Sequence, residues 1–385
     1  MSKQIIFCAD GTWNGPGDPS GTSDIDSATA QDPVINDDVT NVVKLFVNLR
    51  GQVTAESQGL KNETEMVCRD AAGNVLQVAK YLHGIGDSKN AAIKVLGGVF
   101  GVGVITRIVR GYTFISRYYE PGDSIHITGF SRGAYTARSL AGMIAKVGLL
   151  NTKTYDPNDK DQAYRRGYEA WLKAKGMSFE GKGFLTNILT TVASLADGVL
   201  RRVSLKQSDF VPLVRIKTVG VWDTVGSLGI PDYVTGARRD LFSFIDNKLS
   251  AMVDNGFHAM ALDEERRDFP VERWDPDPRI EEVWFIGAHS DVGGGYPSAE
   301  CGLSDIALNW MMQKLKSQGA LLAEPLVHKP GLGPCSQAYH TPWAKPPFNI
   351  DATQRKQRPG DVFDPSVKDR WGRDADYQKR WPKLF

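Results

Sequence analysis

The segment Ser124–Gly148, SIHITGFSRGAYTARSLAGMIAKVG, holds the pattern on which the reading of the fold turns. Ser124 to Thr128 is a short β-prone run entered through the turn Pro121-Gly122. Ala137, Leu140, Ala141 and Ile144 fall on one helical stripe, and Gly148 supplies a stop. Between them stands Gly129-Phe130-Ser131-Arg132-Gly133, a GxSxG motif. Strand, motif and helix in that order are the context of a nucleophile elbow, a sharp turn that lifts a serine hydroxyl above the end of a sheet. A Cβ at Gly129 or Gly133 would collide with neighbouring backbone in such a turn. The turn also aims the first helical amides at one point, where an oxyanion can be held. The competing reading is a serine that merely caps a helix after a glycine turn.

Outward from this segment, short apolar runs alternate with helical patterns, which predicts an α/β fold with a mostly parallel sheet flanked by helices. Gln4 to Ala9 reads as the first strand and runs into the loop Asp10-Gly11-Thr12-Trp13-Asn14-Gly15. A polar stretch to about residue 33 reads as a mobile surface loop. Thr40 caps a helix whose stripe is Val42, Val43, Phe46 and Val47. Val75 to His83 reads as a strand closed by Gly84-Ile85-Gly86-Asp87, and residues 106 to 119 as a helix. Strands are expected at Val214 to Val221 and Glu282 to Ile286, with helices over 245–262 and Ser304 to Lys316. The whole chain, 1–385, reads as one α/β-hydrolase-like domain. Residues 150–212 form a helical insertion after the nucleophile helix, and 330–385 an irregular C-terminal wrap. Within the insertion, Phe184 to Arg202 carries apolar residues at helical spacing opposite a Thr/Asn/Ser face. That helix is either a lid over the site or one more amphipathic helix on the core.

A serine nucleophile needs a base, and the base needs an acid to orient it. In α/β hydrolases these follow in the order Ser, acid, His, each just past a strand. VGVWDTVG places Asp223 past one strand, and VWFIGAHSDVGGGY places His289 past another. Ser131 is therefore read as nucleophile, His289 as base and Asp223 as orienting acid, with Asp291 and Asp263 as rival acids. The oxyanion donors are the Arg132 amide and one amide from the first loop, Gly11 or Thr12. Of the other histidines, His83 and His258 read as structural, His126 lies on the strand feeding the elbow, and His328 and His340 sit in the Pro-rich tail.

Composition narrows the function classes. The 385 residues carry 46 Lys plus Arg against 45 Asp plus Glu, a net charge of +1. No basic excess exists to drive nucleic-acid binding by counterion release. Hydrophobic residues are 41% and charged residues 24%, a globular balance that needs no disulfide or metal staple. The four cysteines, Cys8, Cys68, Cys301 and Cys335, share no CxxC spacing and read as reduced. No signal-peptide pattern opens the chain, and Val95 to Ile105 is too short to span a bilayer. The expectation is a chain synthesised soluble in the cytoplasm, with delivery elsewhere by a dedicated machine left open.

Together these residues resemble a hydrolase family that includes the Tle1-type phospholipase effectors of bacterial type VI secretion. The resemblance rests on blocks in family order: FCADGTWN (Phe7 to Asn14), TNVVKL (Thr40 to Leu45), HGIG (His83 to Gly86) and GFSRGAYTAR (Gly129 to Arg138). It continues through VGVWDTVGSLG (Val219 to Gly229), HAMALDEERRDF (His258 to Phe269), VWFIGAHSDVGGGY (Val283 to Tyr296) and LSDIALNWM (Leu303 to Met311). It implies an α/β-hydrolase fold and a Ser–Asp–His triad on Ser131, Asp223 and His289. The implied substrate is a glycerophospholipid ester or another ester, met at a transient membrane surface. The implied partner is a secretion apparatus or an immunity protein. No cofactor is required.

Two other classes stay open on the residues alone. Asp10, His289 and Asp291 are acids and an imidazole at strand ends, which suits a metal-dependent hydrolase or a structural divalent cation beside a serine site. A silent binding protein on a hydrolase frame is the other, since fold does not fix function.

Overall fold

The computed structural model of the protein describes residues 2–11, 39–58, 63–84, 100–176, 204–225, 247–266, 269–331 and 354–385. Thr12, most of the polar loop read to residue 33, the helix read over Phe184 to Arg202, Cys335 and His340 lie outside them.

In chain order the elements are β1 (Gln4–Ala9), α1 (Asn41–Asn48), β2 (Gln52–Val53), β3 (Glu63–Arg69), β4 (Val75–Leu82), α2 (Phe100–Tyr118), β5 (Ser124–Phe130) and α3 (Arg132–Val147). There follow β6 (Leu149–Leu150), α4 (Lys160–Lys175), β7 (Phe210–Val211), β8 (Ile216–Trp222), β9 (Val253–Ala261) and β10 (Ile280–Phe285). The remainder is α5 (His289–Gly293), α6 (Gly302–Ser317), β11 (Val362–Phe363), α7 (Pro365–Arg373) and α8 (Ala375–Arg380). Nine strands form one sheet in the order β11-β10-β9-β8-β5-β1-β4-β3-β2. All pairs from β11 to β4 are parallel, whereas β3 and β2 add an antiparallel edge.

Alternation along β1 explains the layers. Ile5, Phe7 and Ala9 pack with α2 and α3 residues such as Ile108, Tyr112, Leu140 and Ile144. Ile6 and Cys8 pack with Val42 and Phe46 of α1 and with Leu308 and Met311 of α6. From β1 the chain first adds β4 on one side and then crosses to β5 on the other. In open α/β sheets such a reversal opens a crevice beyond the carboxyl ends of the strands.

Among the described residues the expected strands and helices fall close to their expected positions, with one correction. Residues 245–262, read as a helix, contain β9 instead. Gly256 to Ala261 is buried between two parallel neighbours, so it lacks the alternation that marks a half-exposed strand. The antiparallel edge β2–β3 went unread. In the stretch read as an insertion, β6 pairs antiparallel with β7, so the chain leaves and returns at one place, and α4 lies between them. The tail is less irregular than read: β11 joins the sheet edge, and Val367, Tyr377 and Trp381 of the last helical turns pack on Met260, Trp284 and Ile286.

Candidate active site

Register places the site. Phe130 of β5 pairs with Trp222 of β8, so Ser131 and Asp223 leave neighbouring strands at the same level. Neighbouring strands lie about 4.8 Å apart. The Ser131 amide donates to the Trp222 carbonyl at 3.1 Å. Ser131 stands at the mouth of α3 with φ 57° and ψ −122°, and its side chain makes no capping bond to the helix. A non-glycine residue in that region carries strain of roughly 1–3 kcal/mol, which the surroundings must hold. They hold it by close approach. A Cβ on Gly129 would come 2.3 Å from the Gly133 carbonyl oxygen, and one on Gly133 would come 2.1 Å from that of Ala9. The two motif glycines therefore let β1, β5 and α3 meet at the serine.

Asp223 also has a positive φ, 36°, and is fully buried. Its Oδ1 accepts from the Ala261 amide at 2.9 Å and from Arg355 Nη1. Its Oδ2 accepts from Arg355 Nη2 at 3.0 Å and lies 2.6 Å from His289 Nδ1. Burial alone would raise this carboxyl's pKa, but the Arg355 guanidinium and His289 overcome it and hold the group far below the usual carboxylate range. With Asp223 ionised, Nδ1 of His289 carries the proton and Nε2 keeps the lone pair a base needs. Burial also pulls the His289 imidazole below its ordinary pKa, against the opposing pull of Asp223.

His289 begins α5, and its ring is fixed on two sides. Phe130, the residue before Ser131, lies 4.5 Å from it between centroids, and Phe269 meets it edge-on at 5.1 Å. Its backbone amide donates to Glu264 Oε2 at 3.1 Å. Glu264 in turn takes three bonds from Arg266, whose guanidinium lies 3.6 Å over the Phe269 ring. Ser131, Asp223 and His289 thus all follow carboxyl ends of sheet strands: Ser131 and Asp223 leave the paired residues Phe130 and Trp222, and His289 is bound to Asp223 and packed on Phe130.

The other candidates are placed as follows. Arg132 is the first residue of α3, where backbone amides lack intrahelical acceptors. Gly11 lies against the serine, since a Cβ there would be 3.3 Å from the Ser131 Cβ, but its amide donates to Asp10 Oδ1 at 2.6 Å. Thr12 is outside the described residues. Asp10 points its carboxylate at the Thr40 hydroxyl, 2.8 Å away, and the Tyr81 hydroxyl, 2.5 Å away. Burial raises its pKa. Asp291 accepts from the Ala288 amide at 2.9 Å and so braces the start of α5. Asp263 accepts from the Gly287 amide at 2.7 Å, from Tyr377 at 3.0 Å and from Trp381 at 2.9 Å. Both rival acids are thus engaged in bracing the loop that carries His289. Among the described residues no three His, Cys, Asp or Glu side chains converge as a metal site would require. Asp10, His289 and Asp291 accordingly do not form one there.

The quoted blocks acquire physical roles. Thr40 caps α1 and also binds Asp10. Asn41 donates to the carbonyls of Val292 and Ser304, tying α1 to α5 and α6. Lys44 pairs with Asp305 at 2.8 Å in the interior. Sequence reasoning missed Glu264 and Phe269, although both lie in the block HAMALDEERRDF, where Asp263 is the acid it considers and His258 reads as structural. It also missed Arg355, for which the charged, Pro-rich tail gives no local signal.

Comparison with known proteins adds three likenesses. An uncharacterized protein of Saccharomyces cerevisiae, YEL023C, is 31% identical over 193 residues, 50% of this chain and 24% of that protein. An uncharacterized protein from Pseudomonas aeruginosa, known from a crystal structure, overlaps with a TM-score of 0.39 at 16% identity, over 83% of this chain and 46% of that one. A Tle1 effector solved bound to the VgrG spike of the type VI secretion system overlaps with a TM-score of 0.37 at 19% identity, over 77% of this chain and 51% of that one. The chain therefore spans about a quarter of the curated relative and about half of these solved chains. The model of the T6SS phospholipase effector Tle1-like catalytic domain matches residues 3–314, and the chain belongs to that family.

Proposed function

We propose that the protein is a serine-dependent carboxylic ester hydrolase acting on phospholipids in the phospholipase A sense. In this reading Ser131 is the nucleophile, His289 the general base and Asp223 its orienting acid. The observation that carries it is the buried contact of 2.6 Å between His289 Nδ1 and Asp223, on a loop whose ring packs on the residue before Ser131. Family membership supports the lipid ester as substrate.

The chemistry follows from the groups. Nε2 of His289 takes the Ser131 proton as Oγ attacks the ester carbonyl. The oxyanion is held by the Arg132 amide and a second amide from the first loop, Gly11 once released from Asp10 or Thr12. The C–O bond breaks, and the lysolipid alcohol leaves with the proton from His289. Water, deprotonated by His289, then attacks the acyl-serine and releases the fatty acid and free serine. Delivery through a secretion apparatus belongs to the same reading and rests on the family alone. No described helix is long and apolar enough to cross a membrane.

The test incubates purified wild type and Ser131→Ala with mixed phospholipids and with a short p-nitrophenyl ester, with mass spectrometry of the products. Free fatty acid and lysolipid from the wild type, lowered by roughly three to six decades in Ser131→Ala, are expected. Activity within tenfold in that variant ends the serine mechanism. Ester cleavage without lipid cleavage ends the phospholipase assignment.

A further inference from the structure

We propose that Arg355 is a positioning residue of this machinery: from the C-terminal segment it fixes both oxygens of Asp223, and through Asp223 the His289 imidazole. The inference rests on the triad reading and deepens it. Arg355 lies beyond residue 314, where the family match ends.

The arginine divides its donors between Asp223 and two backbone carbonyls. Nη1 donates to Asp223 Oδ1 and, at 2.8 Å, to the Ala261 carbonyl. Nη2 donates to Asp223 Oδ2 at 3.0 Å and, at 2.8 Å, to the Phe269 carbonyl. The guanidinium is thus bolted to the ends of β9 and the following loop, and its planar fork lies along both carboxylate oxygens. The side chain is almost wholly buried, as is Asp223. A carboxylate held by the fork and the Ala261 amide has one orientation left, with Oδ2 toward Nδ1.

The charges around His289 leave this role to Arg355. From the loop after β8 comes Asp223, and from the loop after β9 come Glu264 and Arg266. Glu264 and Arg266 are already paired with each other at 2.8 Å. Asp291, on α5 itself, is turned to the Ala288 amide. Among the described residues Arg355 is the cation paired with Asp223. Anchorage of its segment is strong nearby, where Asp361 binds Arg273 at 2.6 Å and the Trp284 indole at 2.7 Å. The tail thereby becomes part of the site.

The base must be neutral to act, so the acid limb of kcat/KM reports protonation at His289. Removing the positive charge beside Asp223 leaves the carboxylate a stronger partner for the imidazolium, and the limb moves to higher pH. If buried Asp223 itself begins to protonate, the limb moves in the same direction.

The experiment measures kcat and KM on a short p-nitrophenyl ester from pH 5 to 9 for the full chain, Arg355→Gln, Arg355→Lys and Ser131→Ala, with folding followed by circular dichroism. Arg355→Gln is expected to lose about 10²-fold in kcat. Its KM stays within threefold, and its acid limb rises by half a pH unit or more. Arg355→Lys keeps the charge but not the fork, so the limb returns while kcat recovers only in part. A folded Arg355→Gln with wild-type kcat and an unmoved limb overturns the inference. If only Arg355→Lys folds, reduced kcat with a wild-type limb supports the inference and wild-type kcat overturns it. Loss of fold in both variants overturns it too, since the arginine would then specify the fold and not the orientation. Ser131→Ala separates the two levels: its persistent activity removes the triad reading itself, whereas its inactivity beside a normal Arg355→Gln removes the arginine's role alone.

Discussion

Asparagine at position 223 preserves the shape of the side chain and removes one acceptor oxygen. In the native site Oδ1 serves the Ala261 amide and Arg355 Nη1, while Oδ2 serves Arg355 Nη2 and His289 Nδ1. If the amide oxygen of Asn takes the Oδ1 place, two donors stay satisfied and the new NH2 faces His289 Nδ1 and Arg355 Nη2. If it takes the Oδ2 place, the NH2 opposes the Ala261 amide and Arg355 Nη1. The first orientation is the less costly, because the imidazole can change tautomer and the Ala261 amide cannot, and it turns Nδ1 into an acceptor. The imidazole proton then sits on Nε2, the nitrogen that must be bare for the serine to lose its proton. The expected loss in kcat/KM is about four decades. That corresponds to about 5.4 kcal/mol of transition-state stabilisation. A separate loss of roughly 3 kcal/mol in stability is expected, because Arg355 keeps its charge in the interior and loses the carboxylate its fork is bound to. Steady-state kinetics on a p-nitrophenyl ester, beside calorimetric melting, reads both. A folded Asp223→Asn enzyme within tenfold of wild type refutes the assignment of this carboxylate.

Asp291→Asn should stay within about tenfold of wild type, since an amide oxygen can still accept from Ala288; a loss matching that of Asp223→Asn would make Asp291 the orienting acid. Gly133→Ala drives a Cβ into two backbone carbonyls, 2.1 Å from Ala9 O and 2.6 Å from Asp10 O, so loss of soluble protein or more than about 3 kcal/mol in urea unfolding is expected. Gly176→Ala, with φ +67° and nothing near its Cβ, should cost only about 1 kcal/mol, and equal losses in the two variants would contradict the close-approach argument. Burial, helped by Lys217, pushes the His126 imidazole down to about 4. The unfolded chain takes up that proton near pH 6.5. The folded value is the lower one, so stability is whole above about pH 6.5 and falls as pH drops toward 4, by about 3 kcal/mol over the window. His126→Gln should flatten that slope in denaturation curves taken between pH 7 and 4.5; an unchanged slope would exonerate His126.

Much was legible along the chain because it is written locally. GxSxG between a strand and a helix is a demand of one tight turn, and its glycines, serine and flanking apolar residues are contiguous. Thr40 is legible for the same reason, as a cap acts within one helical turn. His289 and Asp223 could be picked out by their place past strands, since a polar residue leaving a buried strand stands at the crevice. β9 was not legible, because a strand buried on both faces has no alternation, and its Phe257, Ala259, Met260 and Ala261 suit a helix equally well.

The sequence by itself thus determined the elements whose signals lie within a few residues: the glycine-flanked turn from β5 through Ser131 into α3, and the capped helix α1. Tertiary structure alone decided which acid meets the imidazole. Asp223, Asp263 and Asp291 are all acids near strand ends, and only packing sends the last two to Gly287 and Ala288 and the first to His289. Tertiary structure alone also brought Arg355 to Asp223 across 132 residues of chain. The physical reason is one of range. Turns, caps and periodicity act between neighbours, whereas the pairing of a buried charge depends on which distant segment the folded sheet places beside it.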